Sequence, residues 1–246
     1  MNLRAAQFHV FDHGYIEASD AVFVTEDGRR ETVTARWPVR CYLIEHQRGR
    51  LLWDTGLPEA KLLADPWAVG DFKKVVTTTL KSSLAAHGLL AEDITFLGLS
   101  HLHIDHAGNV NQFVASTGLL HPNEHAYAFS DDAGGDYYPE DYVKLRDSNT
   151  MLTNDMHDVF GDGSVLILEA PGHTVGHQAL YVDLPGIEPR IPVGDLYYAE
   201  DDRTHRRVPS WNVDIEQTFR SMDRIERIAS ETGARLLIHH DPNSQR

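Results

Sequence analysis

Residues 101–109 read HLHIDHAGN, which puts three histidines and an aspartate within six positions. The plain alternative is a polar loop with incidental histidines, and the density of the cluster, with Asp105 inside it, argues against that. His101 and His103 are two apart, so in an extended segment they point the same way and can reach one metal ion. Asp105 and His106 come after the turn and suit a second ion nearby.

Working outward, the run ITFLGLS (94–100) leads into this cluster as a strand does, and three later runs end in the same way. VLILEAPG (165–172) delivers His173, RIPVG (190–194) delivers Asp195, and RLLIH (235–239) delivers His240. Strands of an α/β sheet hold the loops that follow them, so ligands spread along the chain converge at one edge. His239 and His240 compete for one place, because adjacent strand residues face opposite sides. Five histidines and two aspartates favour zinc, while manganese, iron or cobalt also accept nitrogen and oxygen ligands. His177 reads as structural, since a role for it would leave a better-placed histidine without one. Asp54, after RLLW (50–53), reads as a carboxylate that orients a ligand histidine. Tyr197 and Tyr198 both follow Asp195 closely enough to face the site.

The rest of the chain bounds the setting. It has 246 residues, 41% of them hydrophobic, enough for one domain over 1–246. The formal charge is −15, which repels phosphate backbones and anionic lipid, so neither nucleic acid nor membrane is an expected partner. Cys41 is the single cysteine, which excludes an internal disulfide and a cysteine-based zinc cluster. MNLRAAQFHVFDHG (1–14) lacks the apolar core of a signal peptide, and a cytoplasmic protein is expected. Residues 39–56 read as a hairpin turning near Gln47-Arg48-Gly49, while 71–88 and 213–233 read as helices that cover a sheet. The acidic stretch 130–163, with Tyr137, Tyr138 and Tyr142, reads as a lid or a surface excursion.

HLHIDH has the HxHxDH form of the metallo-β-lactamase superfamily, and PGHTVGH (171–177), VGDLYY (193–198) and HHD (239–241) follow in that family's order, with DTG (54–56) upstream. The resemblance covers nearly the whole chain and implies an α/β fold of the αββα sandwich type with two divalent metal ions. Within the superfamily the chain is most similar to the N-acyl homoserine lactonases, which open the lactone ring of bacterial quorum-sensing signals. WPVRCYLIEHQRGRLLWDTGLPEA (37–60), SHLHIDHAG (100–108) and APGHTVGHQALYV (170–182) carry that likeness. It implies His101, His103 and His173 on one ion, Asp105, His106 and His240 on the other, and Asp195 bridging. It further implies Tyr198 against the lactone, Asp105 as proton acceptor, and a water shared by the ions as nucleophile. Three positions depart from the lactonase pattern: Asn109 stands where glycine is usual, Val193-Gly194 precede Asp195, and His239 precedes the last ligand.

Two other substrates fit the same machinery: a pyridoxine-derived lactone, or a glutathione thioester, for which Arg203, Arg206 and Arg207 offer a cationic patch. Outside enzymes, the alternative is a module that binds metal without catalysis; seven ligands with a bridging carboxylate exceed what a closed structural zinc site needs.

Overall fold

The computed structural model describes residues 6–67, 70–146 and 148–244, so the first five residues of the N-terminal stretch lie outside it. Strands β1 (Gln7–Thr25) and β2 (Arg30–His46) form a long hairpin, and β3 (Gly49–Trp53) folds back on β2. The pairing of β2 with β3 runs from Tyr42↔Trp53 to His46↔Gly49, leaving Gln47 and Arg48 as the turn. β4 (Lys73–Val76), β5 (Phe96–Gly98), β6 (Thr117–Leu120) and β7 (Thr150–Leu152) follow in the first sheet. The second sheet takes β8 (Met156–Asp158), β9 (Val165–Glu169), β10 (Gln178–Val182) and β11 (Arg190–Pro192). β12 (Arg207–Pro209) returns to the first sheet beside β1, and β13 (Arg235–Leu237) closes the second. The order is β12-β1-β2-β3-β5-β6-β7, with β4 also on β1, in one sheet, and β13-β11-β10-β9-β8 in the other. β3, β5, β6 and β7 run parallel, as do β11 and β13.

Alternation along the strands builds three apolar layers, because successive side chains leave a strand on opposite faces. Tyr42, Ile44, Leu51 and Trp53 turn inward and meet Val165, Ile167, Leu180 and Val182 of the second sheet. Cys41, Leu43 and Leu52 turn outward and pack with Leu80 and Leu84. On the far face, Leu168, Ala179 and Ile191 meet Phe219, Met222 and Ile225. Helices therefore cover both outer faces of two packed sheets, which is the αββα sandwich.

The helices are α1 (Glu59–Leu62), α2 (Leu80–Ala86), α3 (Ile104–Ala107), α4 (Pro122–Ala128), α5 (Pro139–Tyr142), α6 (Glu200–His205) and α7 (Ile215–Thr232). α7 starts where the Asp214 carboxylate accepts the Gln217 N–H (2.7 Å) and stops at Gly233, whose φ of 70° reverses the chain. Its buried stripe of Phe219, Met222 and Ile225 stabilises the covered sheet by about 1.5–3 kcal/mol per side chain.

The expected helix over 71–88 exists only in its second half. Residues 73–76 are β4, paired with Glu17–Gly14 of β1, and α2 begins after the Thr79 cap. The β-branched run Val75, Val76, Thr77, Thr78 and Thr79 favours the pleated conformation, and a strand partner is within reach in β1. Residues 130–163 hold α5, β7 and β8, and Tyr137 and Tyr142 within them are buried in the outer core.

Candidate metal centre

Four connections leave the sheets toward one place. After β5, the chain passes Ser100 and His101, reaches His103 in extended form, and turns into the one-turn helix α3 that carries Asp105 and His106. His173 comes from the loop between β9 and β10, Asp195 from the turn after β11, and His240 from the turn after β13. All seven residues singled out by sequence lie together, and all but His103 are buried.

They form two clusters that meet at Asp195. His101, His103 and His173 bring one nitrogen each to within 4.8 Å of one another, and Asp105, His106, Asp195 and His240 do the same with a carboxylate oxygen or a ring nitrogen each. Asp195 Oδ2 lies 3.4 Å from His173 Nε2, whereas Oδ1 lies 2.9 Å from His106 Nε2 and 3.2 Å from His240 Nε2. One carboxylate thus faces both clusters with a different oxygen. Asp105 Oδ2 is 3.5 Å from both His106 Nε2 and His240 Nε2.

The nitrogens that do not face inward are tied down. His106 Nδ1 meets Asp54 Oδ2 at 2.9 Å, His240 Nδ1 meets the Pro38 carbonyl at 2.9 Å, and His173 Nδ1 meets Asn212 Oδ1 at 2.8 Å. Asp54 is itself held by the Ser100 backbone N–H (2.7 Å) and hydroxyl (2.9 Å). Such partners fix the ring orientation and leave the inward nitrogen as the one that would meet a cation.

Of the two competing residues, His240 aims Nε2 at the carboxylates. His239 instead accepts the Arg40 N–H through Nε2 (3.2 Å). Both nitrogens of His177 are engaged as well: Nδ1 with the Ala170 carbonyl (3.0 Å), and Nε2 accepting the Asp195 N–H (3.0 Å). That contact needs Gly194, whose φ is +55° and where a side chain would fall 2.5 Å from His177 Nε2. The neighbouring tyrosines part company. Tyr198 donates to Asp195 Oδ2 at 2.6 Å and stacks on His240, while Tyr197 donates to Glu226 on α7.

Charge sets the two clusters apart. Burial, then the neighbouring His106, pushes His101 well below its usual value, and burial with His173 takes His103 down to about 3. Burial would also lower His106, but Asp195, Asp105 and Asp54 outweigh it and hold that imidazole well above normal. Asp105 and Asp195 go the other way: burial would raise both, and His106 above all outweighs it and keeps them low. The ion pairs described for these three aspartates are all with histidines.

Imidazoles kept neutral at His101 and His103, and carboxylates that stay ionised and favour a positive charge beside them at His106, are what a divalent cation requires. Hydrogen bonding points the same way. Among the described residues, four of the eight buried side-chain polar atoms without a partner are His101 Nε2, His106 Nε2, His240 Nε2 and Asp195 Oδ1. Each such atom costs about 1–3 kcal/mol unless something satisfies it. The residues present fit a pair of ions.

Sequence reading missed the outer partners. Asn212 and Glu124 come from segments without a motif; Arg40, inside the stretch 37–60 but not singled out there, bonds the carbonyls of His239 (2.7 Å) and Asp241 (2.9 Å) and so clamps the last turn onto β2. Asn109, in place of a glycine, has a use of its own. Its amide donates to the carbonyls of Thr55 (2.7 Å) and Leu57 (2.6 Å), fastening the Asp54 loop to the histidine loop.

Comparison with known proteins agrees with this geometry. The model of the metallo-β-lactamase superfamily matches residues 34–188. The N-acyl homoserine lactonase AttM of Rhizobium johnstonii is 32% identical over 221 residues, which is 83% of this chain and 82% of that protein. AttM of Agrobacterium fabrum is 30% identical over 223 residues, 84% of this chain and 83% of that one. The solved structure of an N-acyl homoserine lactone hydrolase, with its product N-hexanoyl-L-homoserine at the catalytic metal centre, superposes with a TM-score of 0.80 at 23% identity. That match covers 100% of this chain and 96% of the other, and shows a shared fold. The chain belongs to the metallo-β-lactamase superfamily, and its relatives there are N-acyl homoserine lactonases.

Proposed function

We propose that this protein hydrolyses the lactone ring of N-acyl homoserine lactones with two divalent ions, zinc in the first place, one held by His101, His103 and His173, the other by Asp105, His106 and His240, and both by Asp195. The observation that carries the reading is Asp195, whose two oxygens face different clusters while its neighbour Tyr198 reaches it with a hydroxyl. The lactonases among its relatives supply the substrate class. Ions in such a pair acidify water from a pKa of 15.7 to about 7 and withdraw charge from a carbonyl oxygen.

The chain's own groups do the rest. Burial, then Asp195, pushes the Tyr198 hydroxyl well above its usual value, so it stays protonated. It can exchange its bond to Asp195 for one to the lactone carbonyl oxygen as negative charge develops there. Asp105, kept ionised, accepts the proton of the attacking water and returns it to the alkoxide released by ring opening. Trp37, Tyr198 and His240 form a wall, with Tyr198 stacked on His240 at 4.7 Å and edge-on to Trp37 at 4.9 Å, which keeps bulk water from the hydroxyl. No acyl-enzyme is needed.

The thioester alternative loses its basis. Arg203 pairs with Glu226, Arg206 with Glu26 and Asp223, and Arg207 with Asp202 and Glu31, so the cationic patch is spent within the fold. A cytoplasmic setting belongs to the same proposal; among the described residues no helix is long and apolar enough to cross a membrane, and Cys41 is buried and free. The test is a panel of short and long N-acyl homoserine lactones, γ-butyrolactone, a cephalosporin and S-lactoylglutathione, offered to metal-replete protein. Preferential turnover of the acyl homoserine lactones supports the reading. Turnover of the thioester or the β-lactam alone overturns it.

A further inference from the structure

Glu124 on α4 is fully buried and belongs to neither cluster. Its Oε1 accepts from the Leu102 N–H (2.9 Å) and the Tyr137 hydroxyl (2.7 Å). Its Oε2 accepts from the Thr174 hydroxyl (2.7 Å) and the Gly176 N–H (3.0 Å). Leu102 sits between His101 and His103, Thr174 follows His173, and the Tyr137 ring lies edge-on against His103 at 4.8 Å. One carboxylate therefore binds a chain neighbour or a packing partner of each of the three histidines of one cluster, and no hydrogen bond described for it reaches Asp105, His106 or His240.

The arrangement is expensive to build and specific once built. A buried carboxylate is strongly unfavourable unless hydrogen bonds compensate it, and here four donors do so. Burial and then Glu124 itself push the Tyr137 hydroxyl far above its usual value, so that partner remains a donor. Gly176 lets the second loop approach: a side chain there would fall 2.5 Å from Glu124 N and 2.6 Å from its Cβ. Glutamine would fit the space but not the donors, because its amide end must face a donor, Leu102 N–H or Gly176 N–H, on one side.

We infer that Glu124 is a positioning residue that sets the spacing of loops 101–103 and 173–176, and with it the affinity of the three-histidine cluster alone for a divalent cation. This rests on the reading above that the two clusters hold one ion each.

The test is titration of the metal-free full-length protein with Co2+, following bound equivalents by calorimetry and ligand geometry by visible absorption. Wild type should take up two equivalents. Glu124→Gln should keep one at wild-type affinity and hold the other about 10–100-fold more weakly, with an altered spectrum. Thr174→Val, which removes one donor of four, should shift the same equivalent in the same direction by less. Tyr142→Phe loses a hydrogen bond to the Ala128 carbonyl at the far end of α4, and should lower the melting temperature while leaving both equivalents unchanged.

Two unchanged equivalents in Glu124→Gln, or two weakened alike, overturn the inference and leave the metal centre standing. Fewer than two equivalents in wild type overturn the centre and the inference together. If Glu124→Gln does not fold, Thr174→Val against Tyr142→Phe decides: a shift confined to one equivalent in the first supports the role, and none refutes it.

Discussion

The two clusters share Asp195 and the Ser100 hydroxyl, and differ in nearly everything else. His101, His103 and His173 are backed by neutral groups, Ser100 Oγ and Asn212 Oδ1, and are tied together at a distance by Glu124. His106 and His240 are backed by the Asp54 carboxylate and the Pro38 carbonyl, and stand among three aspartates. Opposite charge environments follow, with His101 and His103 pushed down and His106 pushed up. The difference teaches that the first cluster is a neutral nitrogen site whose precision lies in loop spacing, and the second is an anionic site whose precision lies in charge. The comparison breaks most visibly at Asp105, the carboxylate that faces the second cluster alone. Asp105→Asn should reduce turnover of an N-acyl homoserine lactone by about 10²–10⁴-fold. Metal analysis of the same variant should still find the ion of the three-histidine cluster; loss of both ions would mean the clusters are not separable.

Tyr198→Phe comes next in size. It removes one donor from the developing oxyanion and should cost about 10²–10³ in kcat, with both ions retained. A rise in KM at constant kcat would instead make Tyr198 a wall residue. Asp54→Asn sharpens the contrast with Glu124. It weakens the direct grip on His106, while reaching His101 only through Ser100, and should loosen the second cluster's ion by about 10–100-fold and the first cluster's by less. Combined with Glu124→Gln, both equivalents in the Co2+ titration should weaken, because Asp54 holds His106 at one end of the 100–106 segment and Glu124 ties Leu102 within it to the 173–176 loop.

How much of this was legible in the sequence follows from the same contrast. Ligands that share a loop, such as His101 to His106, stand out by density, and ligands that end strands, such as His173, Asp195 and His240, stand out once the strands are read. Outer partners carry no such mark. Glu124 lies in HPNEHAY and Asn212 in SWNV, where nothing local tells a buried acceptor from a solvated polar residue. Their role exists only after the sandwich has brought α4 and the start of α7 beside the loops. The failed helix over 73–76 has a related cause: Lys73 to Val76 suits either period, and the partner that decides it is Gly14–Glu17, about sixty positions earlier. Tyr137 was visible as an aromatic in an acidic stretch, yet only its antiparallel bridge with His103 makes it part of the centre.

The smallest effect concerns the tyrosine that faces away. Tyr197 donates to Glu226 at 3.1 Å, and Arg203 pairs with the same carboxylate. The hydrogen bond from Arg203 holds Glu226 below its usual 4.5, with burial opposing and the charge of Arg203 adding. A carboxylate whose folded value is depressed contributes stability that is fully present above about pH 4.5 and is lost as pH falls through the depressed value. The pair is about one-third exposed, so solvent limits its worth to about 0.5–1 kcal/mol. Glu226→Gln should therefore lower the unfolding free energy from urea titration at pH 7 by that amount and converge with wild type as pH falls through the depressed value, while lactone hydrolysis at neutral pH stays unchanged. A gap of equal size at both pH values would assign the loss to packing on α7 rather than to charge. A fall in hydrolysis would mean that Tyr197 and Tyr198, adjacent in sequence but turned to different faces, are coupled through the turn after Asp195.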